Sequence, residues 1–403
     1  MYVIIGQGAA GTAAANTLRQ LDGKKAITVI TKETDYFYSR VDLPDIIAGY
    51  YPPSAAMLQT KERFAELGIS CRMGEMVTAI IPEKKTVRLA GGECLEYEKL
   101  LVATGSVPVL PPITGLEAKG VYTLWTMTQA GAIIRAAAGA RTAVVIGAGL
   151  IGVKTALALA ARGLAVTLVE KLPRVLPRQV DAAAGAIVAR RIAEKGVAVM
   201  TGAVVEGIAT EDGAIVGVKV SGQMLACDLA VVAVGVRPEA ELARQAGLEV
   251  RRGIVVDRFL QTSRPDIYAA GDVAEAPDFS GGYSVPARWP VAVEQGQVAA
   301  SNMAGRKAAY LPVPAMNAVE VAGLPLISVG DVEGEPGDDI LVSAQGDNYK
   351  KLVIRDKIVC GVLCIGDIRQ AGVLGGLVIR QAEVRAAGRL LAPEFGFADL
   401  LAM

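Results

Sequence analysis

Three glycines close to the N-terminus have the spacing of a phosphate-binding turn. Gly6, Gly8 and Gly11 end an apolar run with the length and β-branched content of a buried strand. Glycines at this spacing permit a tight turn, close approach of the backbone to a pyrophosphate and close packing of the next helix. We expect that helix over 12–21, with its first N–H groups directed at the phosphates. The pattern predicts a dinucleotide site.

A carboxylate follows this turn at the distance that a ribose contact requires. The second strand is predicted over 26–31, and Glu33 lies 22 residues after Gly11. An acid at that place usually accepts a hydrogen bond from a ribose hydroxyl. The next residues, 34–40, combine turn formers, aromatic rings and Arg40. They suit either a loop against a flat ligand or a surface turn with a solvated arginine.

The same pattern occurs a second time in the middle of the chain. Gly147, Gly149 and Gly152 follow an apolar run, a helix is predicted over 153–162, and a strand over 165–169 ends at Glu170. Two such units predict two dinucleotide sites. Glu170 favours NAD over NADP, because a carboxylate repels a 2′-phosphate.

Three basic residues follow Glu170, and the sequence allows two interpretations of them. Lys171, Arg174 and Arg178 could touch the phosphates of a nucleotide, or they could belong to a solvated loop. Further along the chain, apolar strands run into glycine turns at Gly105 and Gly235, and a third such turn contains Gly271 and Asp272. A carboxylate in that last turn can hydrogen-bond a ribityl hydroxyl.

The composition excludes several classes of function. The chain has 403 residues, so two or three domains are expected. Its 41 Lys and Arg balance 41 Asp and Glu, which argues against a general nucleic-acid binder. With no histidine, His-based triads, His general bases and His metal ligands are excluded. The five cysteines are too few and too scattered for a disulfide framework or a four-cysteine metal site, so no metal is expected.

The cysteines and the long apolar run both have structural interpretations. Cys360 and Cys364 share one face of a predicted strand, too far apart to bridge, and are interpreted as core. Cys71, Cys94 and Cys227 are also interpreted as core. No signal peptide is recognised, and the apolar run 142–161 is interrupted by glycines and Lys154, so no membrane span is expected. A cytoplasmic protein is the default expectation.

Taken together, these motifs resemble the pyridine nucleotide–disulfide oxidoreductase family, over nearly the whole chain and in order. The first glycine turn with Glu33 resembles the family's FAD adenosine site, and the second with Glu170 its NAD site. Thr104 and Gly105 resemble the hinge after the FAD half, Gly271 and Asp272 the second FAD motif. The segment 38–40 resembles the flavin-side loop of NADH:rubredoxin reductases and nitrite reductase large subunits, and 288–296 the helix that faces the flavin.

The resemblance implies an α/β fold with two Rossmann-like, glutathione-reductase-like domains and a C-terminal α+β interface domain. The expected segments are an FAD domain (1–110 and 231–311), an NAD(H) domain (111–230) and the C-terminal domain (312–403). Arg40 and Lys154 are expected to take part in catalysis. The expected cofactor-binding residues are Gly6, Gly8, Ala9, Ala10, Gly11, Glu33, Arg40, Val77, Ala103, Thr104, Gly105, Gly147, Gly149, Leu150, Ile151, Gly152, Glu170, Gly235, Gly271, Asp272 and Trp289. Trp289 could instead pack on the domain core.

Two departures from the family pattern define the expected subtype. Val41 stands where single-cysteine members carry their redox thiol, so electrons are expected to leave the flavin without a sulfur relay. Lys154 stands where relatives often carry a glutamate that helps nicotinamide to bind near flavin N5. A cation there could favour a reduced, anionic flavin.

The expected reaction is therefore hydride transfer between NADH and FAD, followed by one-electron transfer to an iron–sulfur partner. Rubredoxin, ferredoxin or an iron–sulfur subunit of a larger complex would fit as that partner. An NADH oxidase that uses oxygen is one alternative, and a flavoprotein subunit with a mainly structural role is another. Hydride transfer requires no general base, which agrees with the absence of histidine.

Overall fold

The computed structural model describes residues 1–384, 387–392 and 394–400; the last three residues of the predicted C-terminal domain are among those outside the described part. The chain forms two compact units. The first contains Met1–Asp42, Pro52–Val107 and Val236–Val313; the second contains Leu43–Tyr51, Pro108–Gly235 and the chain from Pro314 onward. The C-terminal segment thus belongs to the same unit as the predicted NAD(H) segment, and the four predicted segments stay a prediction.

The helices of the described residues have between four and 15 residues. In chain order they are α1 (Ala9–Leu21), α2 (Leu43–Ala48), α3 (Lys61–Glu66), α4 (Met127–Ala137), α5 (Leu150–Ala161), α6 (Ala182–Glu194), α7 (Glu241–Gln245), α8 (Trp289–Met303), α9 (Ala371–Arg380) and α10 (Phe397–Leu400). Single 3-10 turns lie at Arg40–Asp42, Pro53–Ala56, Pro82–Lys84 and Ala387–Leu391.

The strands of the described residues have between two and eight residues. They are β1 (Tyr2–Ile5), β2 (Ile27–Thr31), β3 (Ile69–Met73), β4 (Val77–Ile81), β5 (Thr86–Leu89), β6 (Cys94–Glu96), β7 (Lys99–Val102), β8 (Ser106–Pro108), β9 (Val121–Thr123), β10 (Thr142–Ile146), β11 (Ala165–Val169), β12 (Val197–Met200), β13 (Val205–Glu211), β14 (Ala214–Val220), β15 (Gln223–Ala226), β16 (Leu229–Val232), β17 (Val236–Pro238), β18 (Ile254–Val255), β19 (Ile267–Ala269), β20 (Ala274–Pro277), β21 (Tyr283–Ser284), β22 (Met316–Val321), β23 (Leu324–Gly330), β24 (Asp339–Gln345), β25 (Asn348–Arg355) and β26 (Ile358–Ile365).

The first unit is built on a parallel sheet in the order β19-β7-β1-β2-β3. Strand β1 lies in the middle and pairs in parallel with β2 and β7. All four of its residues are buried, as expected for a parallel strand that is covered on both faces. Two smaller sheets, β4-β5-β6 and β18-β20-β21, belong to the same unit.

The second unit repeats this architecture with the order β12-β11-β10-β16-β9, again with all neighbours parallel. An antiparallel sheet, β13-β14-β15, follows α6 and β12 along the chain. The C-terminal domain is an antiparallel sheet, β22-β23-β26-β25-β24, with α9 packed against β26. The predicted α/β class, with two Rossmann-like sheets and a C-terminal α+β domain, is confirmed.

Close packing of two helices positions the first glycine turn. Helix α8 crosses α1 at Gly296, where a side-chain Cβ would lie 2.2 Å from the carbonyl oxygen of Ala10. Glycine at position 296 is therefore required by the approach of the two backbones. Helix α1 begins at Ala9 and α5 at Leu150, in each case three residues before the predicted start, because both helices begin directly at the middle glycine of their turn.

A further local expectation differs from the structure. The interpretation of Cys94 as a core residue was wrong: it is exposed on β6, the edge strand of its sheet, where alternate side chains face solvent. Among the described helices, none is both long and apolar enough to span a bilayer.

Candidate cofactor-binding sites

Two glycines of the first turn are required by the backbone itself. Gly6 has a φ of +106°, and a Cβ on it would lie 2.1 Å from the carbonyl oxygen of Ala103. A Cβ on Gly11 would lie 2.0 Å from the carbonyl oxygen of Gly6. These contacts hold the end of β1 against the end of β7 and against the start of α1.

Gly8 differs, because nothing in the protein requires a glycine there. Its φ is −76°, and no heavy atom lies within 4 Å of the position that a Cβ would take. Gly8 is the N-cap of α1, and no side chain caps this helix end. The first N–H groups of this 13-residue helix therefore have no side-chain partner in the protein, which fits an anionic phosphate group.

Gln7, between these glycines, is a candidate that the sequence prediction missed. Its residue is only 7% exposed, yet neither Nε2 nor Oε1 of its amide has a hydrogen-bond partner. Buried polar groups in proteins are nearly always paired, so an orphaned amide in a pocket indicates a partner that the protein does not supply. The available signal was a polar residue between two glycines of the fingerprint, a position where side-chain chemistry is not needed for the turn.

Glu33, Tyr38 and Arg40 form one polar cluster beside this turn. The Glu33 carboxylate accepts a hydrogen bond of 2.5 Å from the Tyr38 hydroxyl and one from the Arg40 guanidinium. Arg40 is therefore not a freely solvated arginine, and the contact of the loop 34–40 with a flat ligand stays a prediction. The cluster lines a pocket with polar and aromatic walls, formed by Gln7, Gly8, Thr31, Glu33, Asp35, Tyr36, Phe37, Tyr38 and Arg40. The ribose contact of Glu33 stays a prediction.

Asp272 lies in a sharp turn that three other residues hold in place. Gly271 has a φ of +79°, and its N–H donates to the buried Gln295 Oε1 at 2.8 Å. The Ser106 hydroxyl donates to Asp272 Oδ2 at 2.9 Å. Burial raises the pKa of Asp272, and the bond from Ser106 and the charge of Arg40 oppose that rise only in part. An anion held in a partly buried turn is suited to accept hydroxyl hydrogen bonds from a ligand.

The remaining predicted residues of the first unit lie around these groups. Trp289, at the start of α8, stacks on Phe37 with ring centroids 5.2 Å apart. Thr104 donates from its hydroxyl to the Glu239 carbonyl at 2.8 Å, and Gly105 has a φ of +74°. Val77 is half-buried at the start of β4. Which of them contact FAD stays a prediction.

The second glycine turn reproduces the geometry of the first. Gly147 has a φ of +102°, and a Cβ on it would lie 2.5 Å from the Ala233 carbonyl oxygen; a Cβ on Gly152 would lie 1.8 Å from the Gly147 carbonyl oxygen. Gly149 again has ordinary φ, open space around it and an N-cap position without a side-chain cap. This site also fits a phosphate, beside Leu150 and Ile151 in the first turn of α5.

Glu170 is buried and holds two backbone segments together. Its carboxylate accepts hydrogen bonds from the N–H of Ala148 at 2.7 Å and the N–H of Leu172 at 2.8 Å. It therefore joins the glycine turn to the loop that follows β11. Gly235, with a φ of +115° and open space at its Cβ position, follows β16. The position of the Glu170 carboxylate, beside the glycine turn, suits the predicted ribose contact. That contact stays a prediction.

The basic residues of the second unit have different surroundings. Arg174 donates to the carbonyls of Val180 and Pro177 and pairs with Glu333, so it is not a freely solvated side chain. Its contact with a nucleotide phosphate stays a prediction. Lys171 and Arg178 are exposed. Lys154, in the second turn of α5, is half-buried and has no carboxylate within 4 Å among the described residues.

The cysteines are all free, and the residue that follows Arg40 carries no thiol. Val41 is 65% exposed. Burial raises the pKa of Cys71, Cys227 and Cys364 to about 11 in each case. These three thiols are therefore protonated at neutral pH and unsuited to act as nucleophiles.

The comparisons with known proteins agree with this geometry. Residues 1–296 match the model of the pyridine nucleotide-disulphide oxidoreductase family, and residues 315–382 match the rubredoxin NAD+ reductase C-terminal domain. The chain is 31% identical over 389 residues to the NADH-dependent phenylglyoxylate dehydrogenase subunit epsilon of Aromatoleum evansii, covering 95% of this chain and 92% of that relative. It is 35% identical over 321 residues to the NADH oxidase of Methanocaldococcus jannaschii, covering 77% and 71%. The solved complex of putidaredoxin reductase with putidaredoxin aligns with a TM-score of 0.92 at 26% identity, covering 100% of this chain and 98% of that one.

Proposed function

The chain belongs to the pyridine nucleotide-disulphide oxidoreductase family, and from that premise we propose that it passes electrons from NADH to an iron–sulfur protein without a redox-active cysteine. It is an oxidoreductase that uses FAD and NAD(H). When bound, FAD supplies the step from a two-electron hydride donor to one-electron acceptors. The residues of this chain bind and orient the two nucleotides.

The protein groups available for this task are those of the two glycine turns. In the first unit, the N-terminus of α1 and the Gln7 amide would hold the pyrophosphate side of FAD, with Glu33 and Asp272 as acceptors for its hydroxyl groups. In the second unit, the N-terminus of α5 and Glu170 would hold NADH. Since the Glu170 carboxylate is buried and already accepts two N–H donors, a 2′-phosphate beside it would be repelled, which supports NADH over NADPH.

The observation that carries the proposal is that position 41, directly after the segment that resembles the flavin-side loop of relatives, holds a valine and no thiol. The five cysteines lie at other positions: Cys71, Cys94, Cys227, Cys360 and Cys364. Electrons that arrive as a hydride must then leave in a form that needs no sulfur relay. The match of the C-terminal segment to the rubredoxin NAD+ reductase domain supports a small iron–sulfur carrier as the acceptor.

The test begins with the purified full-length protein. We expect a yellow protein that NADH bleaches under anaerobic conditions and that reduces rubredoxin or a ferredoxin much faster than oxygen. A colourless protein from which no FAD can be released would contradict the proposal. Bleaching without reduction of any iron–sulfur carrier would refute the partner but not the flavin chemistry.

An NADH oxidase is the second candidate, and the 35% identical relative of that name favours it. Because reduced flavins react with oxygen unless they are shielded, slow oxygen consumption would not distinguish the two. The two candidates are distinguished by the ratio of the turnover rate with an iron–sulfur protein to the turnover rate with oxygen, measured on one preparation. A structural flavoprotein subunit, the third reading, would fail to be reduced by NADH when isolated.

The catalytic roles of Arg40 and Lys154 belong to this proposal. Arg40 would place positive charge beside bound FAD, since it already lies next to Glu33 and acts on Asp272. Lys154 would favour reduced, anionic flavin. Lys154→Glu should then lower the midpoint potential of the bound flavin, as measured by anaerobic redox titration. An unchanged potential would remove Lys154 from the mechanism.

Location and assembly complete the proposal. We propose a cytoplasmic location, which cell fractionation tests. We also propose that the chain works as an oligomer or as a subunit of a larger redox complex, as the name of the Aromatoleum relative suggests for that protein. Affinity purification from the native host should then recover an iron–sulfur protein; a chain that purifies alone at native abundance would contradict this part.

A further inference from the structure

The loop 171–180 joins β11 to α6 and contains neither helix nor strand. Its first part is tied to the second glycine turn. The Glu170 carboxylate accepts from the N–H groups of Ala148 and Leu172, and the N–H of Leu176 donates to the Ala148 carbonyl at 2.8 Å. The position of this loop and the shape of the turn are therefore coupled.

Leu176 shows that the loop does not hold this path by local preference. It is fully buried, and its φ of +48° lies in the left-handed region that a leucine side chain disfavours. Such a conformation persists only where surrounding contacts enforce it. Contacts made by Arg174 and by Asp181 enforce it here.

Arg174, within the loop, makes the first set of contacts that hold the loop in this conformation. Its Nε donates to the Val180 carbonyl at 2.9 Å, its Nη2 donates to the Pro177 carbonyl at 3.2 Å, and the guanidinium also pairs with Glu333. Glu333 lies between β23 and β24 of the C-terminal domain. One side chain thus folds the loop on itself and joins it to that domain.

Asp181, directly after the loop, makes the second set of contacts that hold the loop in this conformation. It caps α6 by accepting from the Ala184 N–H at 3.0 Å, and its second oxygen accepts from the Tyr349 hydroxyl at 2.7 Å and from Lys351 Nζ at 3.1 Å. Asp181, Tyr349 and Lys351 are 8%, 4% and 6% exposed. A lysine buried to this degree requires its carboxylate partner, because an unpaired buried charge is costly.

Lys351 links the Arg174–Glu333 contact to the Asp181 contact. Its ammonium group also donates to the Glu333 carbonyl at 3.2 Å, so the residue that holds Asp181 also positions the residue that holds Arg174. The Glu333–Lys351–Asp181 connection thus joins Arg174, within the loop, to Asp181, directly after the loop.

We propose that the C-terminal domain sets the affinity for NAD(H) by positioning the loop 171–180, with Lys351 as the central positioning residue. This rests on the proposed function only in assigning NAD(H) to the second glycine turn. The chemical class of the ligand is a pyridine dinucleotide whose adenosine ribose lies beside Glu170. Lys351 acts through Asp181 and Glu333 and touches no ligand.

The test measures NADH binding to the full-length FAD-loaded protein by anaerobic equilibrium titration, after the flavin has been reduced chemically so that bound NADH has no hydride acceptor. KM and kcat are measured separately, by steady-state turnover with a chemical electron acceptor. Lys351→Met leaves Asp181 charged and short of its partner, so the loop should lose its fixed position. We expect the Kd for NADH and the KM to rise by roughly 2- to 30-fold. The kcat at saturating NADH and the FAD content should stay at wild-type values.

Two matched variants serve as controls. Lys350→Met makes the same change one residue earlier on β25, where the side chain bonds Gln370 within the C-terminal domain. Asp347→Asn removes an ion pair to Arg190 of α6, which joins the same two domains away from the loop. Both should bind NADH as the wild type does.

The outcomes decide the proposal in either direction. Wild-type NADH affinity in Lys351→Met, or an equal loss in either control, would overturn it. If Lys351→Met fails to fold, Tyr349→Phe, which removes one hydrogen bond to Asp181 and keeps the ion pair, must raise the Kd for NADH; unchanged affinity there overturns the proposal as well. Failure of the iron–sulfur acceptor would leave these binding measurements unaffected.

Discussion

Gln7 shows how one residue can separate the demands of folding from those of binding. A buried amide without partners destabilises the protein that carries it, by about 1–3 kcal/mol. Gln7 lines the same pocket as Gly8, Glu33 and Arg40. We propose that a polar ligand in this pocket pairs the amide, so that the residue is costly in the free protein and useful in the loaded one.

Gln7→Leu should have opposite effects on the two forms. The Tm of the FAD-free protein should rise, since an orphaned amide is replaced by an apolar side chain of similar volume. The affinity for FAD should fall by about two- to tenfold, the value of one hydrogen bond. Thermal denaturation of the FAD-free protein and fluorescence titration with FAD measure the two effects. Gln297→Leu, at an exposed position of α8, is the control and should change neither; a fall in Tm for Gln7→Leu would show that the amide is satisfied within the protein.

Asp272 predicts a pH dependence of the FAD-free protein. Because burial raises its pKa, the folded state holds this proton more tightly than the unfolded state does. The carboxylate therefore costs stability above the raised pKa, and the cost disappears as the pH falls below the ordinary Asp value of about 3.9.

Asp272→Asn should accordingly raise the Tm of the FAD-free protein at neutral pH, with a difference from wild type that shrinks as the pH is lowered through the raised pKa. Ser106 can still donate to the amide oxygen, so the turn should persist. The measurement is a series of melting curves of both proteins across the acidic range. A difference that is independent of pH would assign the effect to packing instead of charge.

At the scale of elements, each glycine turn joins a strand to a helix under two distinct constraints. The outer glycines make room for backbone: Gly6 against Ala103 and Gly147 against Ala233. A Cβ on either middle glycine, Gly8 or Gly149, would meet no heavy atom within 4 Å. Each turn thus contains glycines that the packing of the backbone requires and one glycine that it does not require.

Alanine substitutions should separate these constraints. Gly6→Ala, with a Cβ 2.1 Å from a carbonyl oxygen and a positive φ, should destabilise the protein by more than about 3 kcal/mol. Gly8→Ala should change the stability of the FAD-free protein by at most about 1 kcal/mol, because its φ is ordinary. Its FAD affinity should nevertheless fall by at least about tenfold, equivalent to 1.4 kcal/mol. Denaturant titrations and FAD binding test the pair; full FAD affinity in Gly8→Ala would place the ligand elsewhere.

At the scale of the whole molecule, the chain contains two parallel sheets of five strands, each with its own glycine turn, and an antiparallel C-terminal sheet. The C-terminal sheet belongs to the same unit as the second parallel sheet. Its contacts with α6 and the preceding loop give it a role in that unit beyond a surface for assembly. The cysteines are distributed over both units and form no cluster there.

A variant without cysteines should therefore keep its activity. Replacing all five by alanine removes two buried thiols, Cys227 and Cys364, at a cost of about 1 kcal/mol of stability each. Turnover from NADH to an iron–sulfur acceptor should remain, since no thiol lies on the proposed route of the electrons. Steady-state rates normalised to bound FAD make the comparison. Loss of turnover with full FAD content would show that a cysteine takes part in electron transfer and would contradict the proposed route.

The amino-acid sequence by itself determined the two glycine turns, their flanking strands and helices, the acids after them and the α/β class. These features depend on short-range sterics and local periodicity, which are written along the chain. It also indicated the missing thiol, because a residue type needs no coordinates.

Only the tertiary structure decided which of these groups are hydrogen-bonded within the protein and which are left unpaired or exposed. The orphaned amide of Gln7, the outward position of Cys94 and the bond between Tyr349 and Asp181, 168 residues apart, could not be read from local pattern. Burial and pairing depend on contacts between segments distant in sequence, and those contacts exist only once the chain has folded.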